Sequence, residues 1–440
     1  MVGKVLMTFR SRLVPGLFLA PMLLATACGS SDAKSSTDVP PGRRETRGAY
    51  TVVWLHGTPY QMGFQHGTLL HEELQEATVM LQTDPVFKIM RDAAAKAGLE
   101  QIARDNSYPD MIEECQGMVD AVANPDFRMF ECLLVNFGDV AVDFLMNGVP
   151  TIQDIKPACS QMVVSGPATA DGRLYHGRIL DWSKVDFVIQ HPVIFVRSPD
   201  GGIPHVFIGF PGNLSSYQGI NDAGISIASN QVSPRDNTVH DLTGRSAVQM
   251  LVQVLTKAHT LEEARTIMQT TNQMTLDTLV AADGNEGKGE VFELAPAHVG
   301  IRDQAAGVVY ATNHFLAPET DPLDQDPAGA SSLLRYERLT QLLTAGGADS
   351  KYGTLNPSQL VSVLRDHHDP DTGTDSPPGT FDDGHSLATN GALYAVVFDP
   401  QARQFWVAAG TLPVPEQTFT AFSLDELLGK PGAQTPADIP

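Results

Sequence analysis

A cysteine stands where the predicted secondary structure changes, and charged residues follow it one hairpin later. Cys159 begins a strand-like run, and Arg178 and Asp181 lie on the next one. If the chain cut itself before Cys159, the freed residue would carry a thiol nucleophile and an α-amine able to take its proton, because such amines titrate at about 7.7–8.0. Arg178 is suited to lowering the pKa of the thiol, and Asp181 to holding the amine. The pattern predicts self-cleavage between Ala158 and Cys159, which creates an N-terminal nucleophile.

Two registers of this predicted hairpin are open, and both assemble the same groups. In one register, Cys159 lies opposite Leu180. A tight two-residue turn would shift the pairing and bring Met162 opposite Asp181 instead. Asp181 lies within a few residues of the cysteine in either case.

The predicted secondary structure changes at Cys159, from mainly helices before it to strands after it. Before it, Met62, Leu69 and Leu74 fall at helical spacing, and residues 130–145 are a strongly apolar helical stretch. Residues 147–157 contain Asn, Gly and Pro and predict a loop that could hold a scissile bond. After the cysteine, strands come in runs and helices in pairs, which favours layered α+β architecture over a parallel βαβ wheel.

Five further motifs accompany the cysteine constellation. They occupy residues 55–67, 219–224, 229–230, 312–315 and 332–338. In this order, the motifs resemble those of the acyl-coenzyme A:6-aminopenicillanic acid acyltransferase family, peptidase family C45 among the N-terminal nucleophile hydrolases. The resemblance runs from about residue 50 to about residue 412. It implies a four-layer αββα sandwich in which two antiparallel sheets lie between layers of helices.

The resemblance also implies roles for residues far from the cysteine in sequence. Asn230 and Asn313 match the family's candidate oxyanion donors, a role worth roughly 2.7–4 kcal/mol of barrier per donor. Arg335 matches an arginine on a late helix that could bind a substrate carboxylate or close the pocket.

The chain departs from the family pattern at two positions. Ala158 replaces a glycine that often precedes the cysteine, and Ile179 replaces an asparagine between the predicted catalytic Arg178 and Asp181. A small residue at 158 still leaves room for an N-to-S acyl shift. On a strand, the side chain of residue 179 points away from that of residue 178, so the catalytic face is expected to survive.

The N-terminus predicts export and anchoring. Three basic residues precede an apolar run, at residues 13–24, that is too short to span a bilayer comfortably. The small residues that follow end at Cys28, as in a bacterial lipoprotein cleavage site, so Cys28 is predicted to carry lipid on the extracytoplasmic side of a membrane. In an exported protein Cys115 and Cys132 could pair, but both fall in helix-like segments, so a buried free thiol is an equal alternative.

Composition limits the partners. With 51 acidic and 29 basic residues, the chain has a net charge of −22, which disfavours nucleic acid. No Cys/His metal pattern, phosphate loop or Gly-x-Ser-x-Gly elbow occurs, so neither metal nor cofactor is expected. The predicted organisation is a signal peptide at 1–27, a flexible tether at 28–49, a mainly helical segment at 50–158, a catalytic domain at 159–430 and a tail at 431–440.

These patterns together predict a lipid-anchored, self-processing amidohydrolase or acyltransferase. It would act on a small-molecule N-acyl amide through an acyl-thioester, and its two fragments would stay associated. One alternative is a degenerate member of the same fold that only binds ligands, and Ala158 and Ile179 motivate it. Another is a lipid amidase or phospholipase-like hydrolase, which an apolar channel near Cys159 would favour.

Overall fold

The computed structural model describes residues 39–141, 158–182, 185–236, 238–377 and 385–440. The predicted signal peptide, Cys28 and the loop at 147–157 lie outside these ranges. The helices are α1 (Pro59–Leu69), α2 (His71–Thr83), α3 (Pro85–Lys96), α4 (Leu99–Asn106), α5 (Pro109–Val122), α6 (Met129–Asn136), α7 (Asp186–Gln190), α8 (Ala247–Lys257), α9 (Leu261–Thr270), α10 (Ala330–Leu343), α11 (Pro357–Leu364) and α12 (Leu424–Leu427).

The strands fall into two large sheets and one small hairpin. They are β1 (Arg43–Arg47), β2 (Tyr50–Gly57), β3 (Ser160–Gly166), β4 (Gly172–Asp181), β5 (Val193–Pro199), β6 (His205–Gly209), β7 (Gln218–Asn221), β8 (Ile225–Gln231), β9 (Asp277–Asp283), β10 (Lys288–Ala295), β11 (His298–Asp303), β12 (Val308–Ala311), β13 (His368–Asp369), β14 (Thr374–Asp375), β15 (Ala392–Asp399), β16 (Gln404–Ala408) and β17 (Thr420–Ser423). The first sheet has the order β1-β2-β5-β6-β7-β8-β9-β10-β11, and the second has the order β12-β3-β4-β15-β16-β17.

The buried apolar residues confirm the four-layer αββα arrangement. One core joins a face of the first sheet to helices α1–α6, α8 and α9. A second core lies between the two sheets and contains Val196 of β5 and Val396 of β15. A third joins the outer face of the second sheet to α10 and α11. Cys159 belongs to the second core, between the two sheets.

The hairpin that carries the cysteine has the first of the two open registers at the end next to Cys159. Ser160 pairs with Ile179, which continues to Cys159 opposite Leu180. An irregularity after Val164 shifts the pairing at the turn, where Gly166 lies opposite Gly172. Because the bulge is at the far end, it leaves the position of Cys159 unchanged.

The segment before Cys159 is part of the sandwich as well as helical. β2 pairs in parallel with β5, and β1 pairs with β2. The flexible tether predicted for 28–49 therefore extends too far, because residues 43–47 form an edge strand. The strand β1 contains no apolar residue, so the hydrophobic pattern of the sequence did not predict it.

The tail at 431–440 is more ordered than its composition suggests. In this tail, Ile439 exchanges backbone hydrogen bonds with Phe419 beside β17.

Cys115 of α5 and Cys132 of α6 form a disulfide with their Cα atoms 5.8 Å apart, which decides between the two alternatives for these cysteines. Within the described residues, no helix is long and apolar enough to cross a membrane.

Candidate active site

Cys159 lies immediately before β3, at the junction of the two sheets. It is buried, with 3% of its surface exposed. Its Sγ donates to the backbone carbonyl of Asp181 at 3.4 Å. The N–H of Ala158 donates to the same carbonyl at 3.2 Å. Among the cysteines of the described residues, Cys159 is the one with a free thiol.

The guanidinium of Arg178, on β4, lies beside the sulfur of Cys159. Its Nη2 lies 3.9 Å from Cys159 Sγ and also donates to the carbonyl of Ser229. Its Nη1 donates to Gln218 Oε1 at 2.5 Å. Gln218 is itself fixed by donating to the carbonyl of Ile208 at 3.0 Å. The predicted contact between guanidinium and thiol is therefore present, and two protein acceptors fix its direction.

Asp181 occupies the last position of β4. Its carboxylate accepts a hydrogen bond from the hydroxyl of Thr389 and faces the same space as the cysteine. Gly391 makes room for it, since a Cβ at that position would lie 2.2 Å from Asp181 Oδ1. The carboxylate thus stands beside the residue whose amine it is predicted to hold.

Arg335 contacts the backbone of Cys159. This α10 side chain is completely buried, and its Nη1 donates to the carbonyl of Cys159 at 2.5 Å and to Ser160 Oγ at 3.0 Å. Its Nη2 donates to Asn313 Oδ1 at 2.9 Å. Burial lowers its pKa to about 10, so it remains a cation at neutral pH. In the uncut chain Arg335 therefore binds the backbone of Cys159 at the start of β3, and its predicted role in binding a substrate carboxylate or closing the pocket stays a prediction.

The two asparagines lie close to the site with their amides engaged. Asn230 Nδ2 donates to the carbonyls of Ala311 and Thr312 at 3.2 and 3.0 Å. Asn313 Nδ2 donates to the carbonyl of Gln231 at 2.7 Å. Their oxyanion role stays a prediction: both hydrogens of Asn230 Nδ2 are used by these carbonyls, so Asn230 would have to leave an acceptor, whereas Asn313 Nδ2 has a second hydrogen besides the one donated to Gln231.

The thiol is held in its neutral form in the uncut chain. Burial raises the pKa of Cys159, and the positive charge of Arg178 offsets only part of this effect. The expectation that Arg178 favours the thiolate is correct in direction, but desolvation dominates. An additional base is needed before the sulfur can attack efficiently.

A small chamber of about 40 Å³ opens in front of Cys159. Its lining includes the carboxylates of Asp139, Asp181 and Asp277 together with Tyr217. Ser229 and Gln231 of β8 also line it, whereas Asn230 points toward the second sheet. Burial raises the pKa of Asp139, whose carboxylate accepts from Ser246 Oγ and from the N–H of Ala247 at the start of α8.

Four of these surrounding residues were not identified from the sequence. Gln218 and Tyr217 directly precede the motif at 219–224, so extending that motif by two residues would have found them. Asp139 and Asp277 follow from no motif, because they are brought together only by the packing of distant elements. Among the described residues, no cluster of three or more His, Cys, Asp or Glu side chains could hold a metal ion.

This geometry agrees with a sequence comparison. The profile of the family described as "Acyl-coenzyme A:6-aminopenicillanic acid acyl-transferase" matches residues 175–411, more than half of the chain. The chain belongs to this family. The match includes Arg178, Asp181, Asn230, Asn313 and Arg335 but begins after Cys159, so assignment of the nucleophile rests on the geometry and the motif resemblance.

Individual relatives are distant. An uncharacterized protein of Archaeoglobus fulgidus is 26% identical over 357 residues, which are 73% of this chain and 58% of that protein. Protein dcd1B of Dictyostelium discoideum is 24% identical over 194 residues, which are 38% of this chain and 36% of that protein. The chain thus spans less than two thirds of the length of either relative.

The solved structures found by comparison share little sequence with this chain. The Caenorhabditis elegans N-acylethanolamine-hydrolyzing acid amidase ortholog is 16% identical, with a TM-score of 0.40 over 55% of this chain and 93% of the other. Penicillin V acylase from Agrobacterium tumefaciens is also 16% identical, with a TM-score of 0.36 over 58% of this chain and 84% of the other. Likenesses this weak say nothing about the substrate of this chain.

Proposed function

We propose that this protein is a self-processing hydrolase or acyltransferase that acts on N-acyl amides with Cys159 as its N-terminal nucleophile. The observation that carries the proposal is the position of Cys159: its sulfur faces a chamber, contacts Arg178 at 3.9 Å and lies next to Asp181. Membership in the acyltransferase family supports the same chemistry.

Processing begins with attack of Cys159 Sγ on the carbonyl carbon of Ala158. The peptide C–N bond breaks as the acyl group moves to sulfur, and the Cys159 nitrogen becomes a free amine. Water then hydrolyses the thioester and leaves a carboxylate on Ala158. The new α-amine is the base that the uncut site lacks.

Turnover uses the same atoms on an external amide. The α-amine, oriented by Asp181, takes the thiol proton as sulfur attacks the substrate carbonyl. The leaving amine receives that proton and departs, and the acyl group remains as a thioester on Cys159. Water releases the acid, or a second amine intercepts the acyl group.

The two fragments are expected to remain one body after the cut. β1 and β2 come from the N-terminal fragment yet extend a sheet built from the C-terminal fragment through the pairing of β2 with β5. Separating them would expose the buried faces of α1–α6 and of the first sheet. The cut breaks one peptide bond and leaves these buried contacts in place, so the fragments should stay associated.

Export and anchoring at Cys28 are part of the same proposal. The Cys115–Cys132 disulfide is what an oxidising, extracytoplasmic compartment favours. We therefore propose that the mature protein is attached by lipid to the extracytoplasmic side of a membrane.

The test is intact-mass measurement of the purified protein and of Cys159→Ala. The wild type should give two chains, the larger beginning at Cys159, while the variant should remain uncut. A wild type that stays intact and still hydrolyses amides would refute the mechanism. An uncut, inactive wild type would favour the degenerate binding protein.

A lipid amidase or phospholipase-like hydrolase is the second candidate, and one observation favours it. An apolar cleft opens next to the chamber, with Phe187, Val188 and Phe210 among its lining residues. Release of a fatty acid from phospholipid vesicles by the mature protein would support this candidate over a hydrolase of small polar amides.

A further inference from the structure

Tyr217 brings an unused hydrogen-bond donor to the chamber in front of Cys159. Both residues line this chamber, and so does Gly138. The hydroxyl end of the Tyr217 ring lies against Gly138, because a Cβ at residue 138 would come 2.6 Å from the hydroxyl oxygen. Among the described residues, no group forms a hydrogen bond with this hydroxyl. The donor is therefore available to a ligand in the chamber.

The backbone around Tyr217 belongs to the hydrogen bonds that hold Arg178. The carbonyl of Tyr217 accepts from the N–H of Ser229 at 3.0 Å, and the carbonyl of Ser229 accepts from Arg178. The next residue, Gln218, accepts from Arg178 through Oε1 at 2.5 Å. Arg178 Nη2 in turn lies 3.9 Å from Cys159 Sγ. The same contacts therefore fix both the guanidinium and the backbone of Tyr217 relative to the sulfur.

Other polar side chains of the lining have acceptors already. Ser229 Oγ donates to Asp277 Oδ1 at 3.2 Å. Gln231 Nε2 donates to the carbonyl of Asp139 at 3.2 Å. Trp182 Nε1 lacks an acceptor within the described part of the chain, so Trp182 is an alternative donor.

The reaction creates a demand for such a donor. As Cys159 Sγ bonds to the carbonyl carbon of an amide, the π electron pair of the C=O bond moves onto oxygen and the thiol proton goes to the α-amine. A donor aimed at this oxygen stabilises the transition state more than the bound substrate. Ionised carboxylates in the lining, such as that of Asp181, only accept hydrogen bonds and cannot stabilise the oxyanion.

Resting on the function proposed above, we propose that Tyr217 is a further catalytic residue, whose hydroxyl donates to the carbonyl oxygen of the substrate amide as Cys159 attacks it. The chamber measures about 40 Å³, so a carbonyl group in front of the sulfur lies close to the side chains of the lining. Tyr217 supplies a donor that Asn230 does not offer while both of its Nδ2 hydrogens bind backbone carbonyls. Tyr217 is preferred to Trp182 because its contacts connect it to Arg178.

Tyr217 keeps its proton at neutral pH. Burial raises the pKa of its hydroxyl, the negative charges of Asp139 and Asp277 raise it further, and the positive charge of Arg178 lowers it in part. A neutral phenol donates a hydrogen bond. The α-amine of Cys159 therefore remains the base, and Tyr217 acts on the oxygen.

The first experiment measures hydrolysis of butanoyl p-nitroanilide by the mature protein and by Tyr217→Phe. Loss of a donor that acts only in the transition state should lower kcat by about 100- to 1,000-fold and leave KM within about threefold. Tyr50→Phe is the matched control, because it removes a buried hydroxyl that donates to the carbonyl of Val407 at 2.7 Å outside the chamber. It should keep the wild-type kcat. A wild-type kcat for Tyr217→Phe, or a loss confined to Trp182→Phe, would overturn the assignment.

Gly138→Ala tests the hydroxyl while Tyr217 stays in place. The added methyl group would come 2.6 Å from the hydroxyl oxygen but 3.9 Å from the ring carbon that bears it. It should therefore displace the hydroxyl and lower kcat by about tenfold or more, yet change kcat little in the Tyr217→Phe background. Equal losses in the two backgrounds would contradict the role of the hydroxyl.

Binding of an aldehyde separates this inference from the proposed activity. Butanal forms a hemithioacetal with Cys159: Sγ bonds to the carbonyl carbon, and the thiol proton ends on the aldehyde oxygen. Protection of Cys159 from iodoacetamide measures the affinity, which Tyr217→Phe should weaken by about tenfold or more. If the wild type hydrolyses no amide but shows this difference, the proposed function fails and Tyr217 remains the donor. Equal protection of the two proteins would overturn the assignment of Tyr217, whether or not the enzyme is active.

Discussion

Arg335 is expected to govern self-cleavage, because it holds the backbone of the residue that must attack. Its Nη1 donates to the carbonyl of Cys159 at 2.5 Å, and its other contacts fix Ser160 and Asn313. Arg335→Ala would leave these acceptors without their charged donor in a fully buried position. The sequence alone had suggested a substrate-binding role, in which cleavage would survive this substitution.

The size of the effect follows from what is lost. Removing one partner of a buried, hydrogen-bonded charge typically costs about 2–5 kcal/mol. If this cost is added to the activation free energy of cleavage, cleavage should slow by roughly 30- to 5,000-fold, since about 1.4 kcal/mol corresponds to a factor of ten. Arg335→Lys can reach one acceptor but lacks the planar fork, so it should fall between the wild type and Arg335→Ala.

The assay follows chain cleavage on denaturing gels during expression and after purification, with thermal unfolding measured in parallel. Arg338→Ala is the matched control, because Arg338 lies one turn further on α10 and binds Asp349 and Asp366 instead. It should cut at the wild-type rate even if its stability falls. Wild-type cleavage by a folded Arg335→Ala protein would refute the positioning role and restore the substrate-binding interpretation.

Two other predictions concern the thiol and the disulfide. Since burial raises the pKa of Cys159 and Arg178 opposes this rise, Arg178→Leu in a mature protein should move the thiolate titration to higher pH. Iodoacetamide reactivity measured against pH reports this shift, and Arg173→Leu, which removes a partner of Asp399, is the control. The disulfide closes a loop with a sequence separation of 17, so its reduction should cost about 3 kcal/mol of unfolding free energy. Urea unfolding with and without reductant measures that loss, and identical curves would contradict it.

Local pattern was sufficient to predict the core of the site. Cys159, Arg178 and Asp181 lie on neighbouring strands of one hairpin, so their proximity follows from strand pairing alone. The choice of register was open in the sequence because both turns are compatible with the same loop. The structure has the first register from Ser160 to Val164, and a bulge after Val164 shifts the pairing at the turn by one residue, to Gly166 opposite Gly172.

Contacts between distant parts of the chain could not be predicted in this way. Arg335 and Cys159 are separated by 176 residues, and the helix pattern places Arg335 on a buried face without identifying what covers it. The edge strand Arg43–Arg47 was missed for a related reason. Its hydrogen bonds to β2 define it, while its polar residues give no periodic apolar signal.

The uncut site explains why processing and turnover should differ in rate. Before cleavage, the Cys159 thiol donates to the carbonyl of Asp181, and a carbonyl cannot accept the proton outright. The sulfur is therefore a neutral thiol with a raised pKa, and its attack on Ala158 must proceed without a strong neighbouring base. After cleavage, the α-amine supplies that base on the same residue. On the proposed mechanism, cleavage of the Ala158–Cys159 bond should therefore be slower than turnover, which would use the α-amine that the cleavage creates.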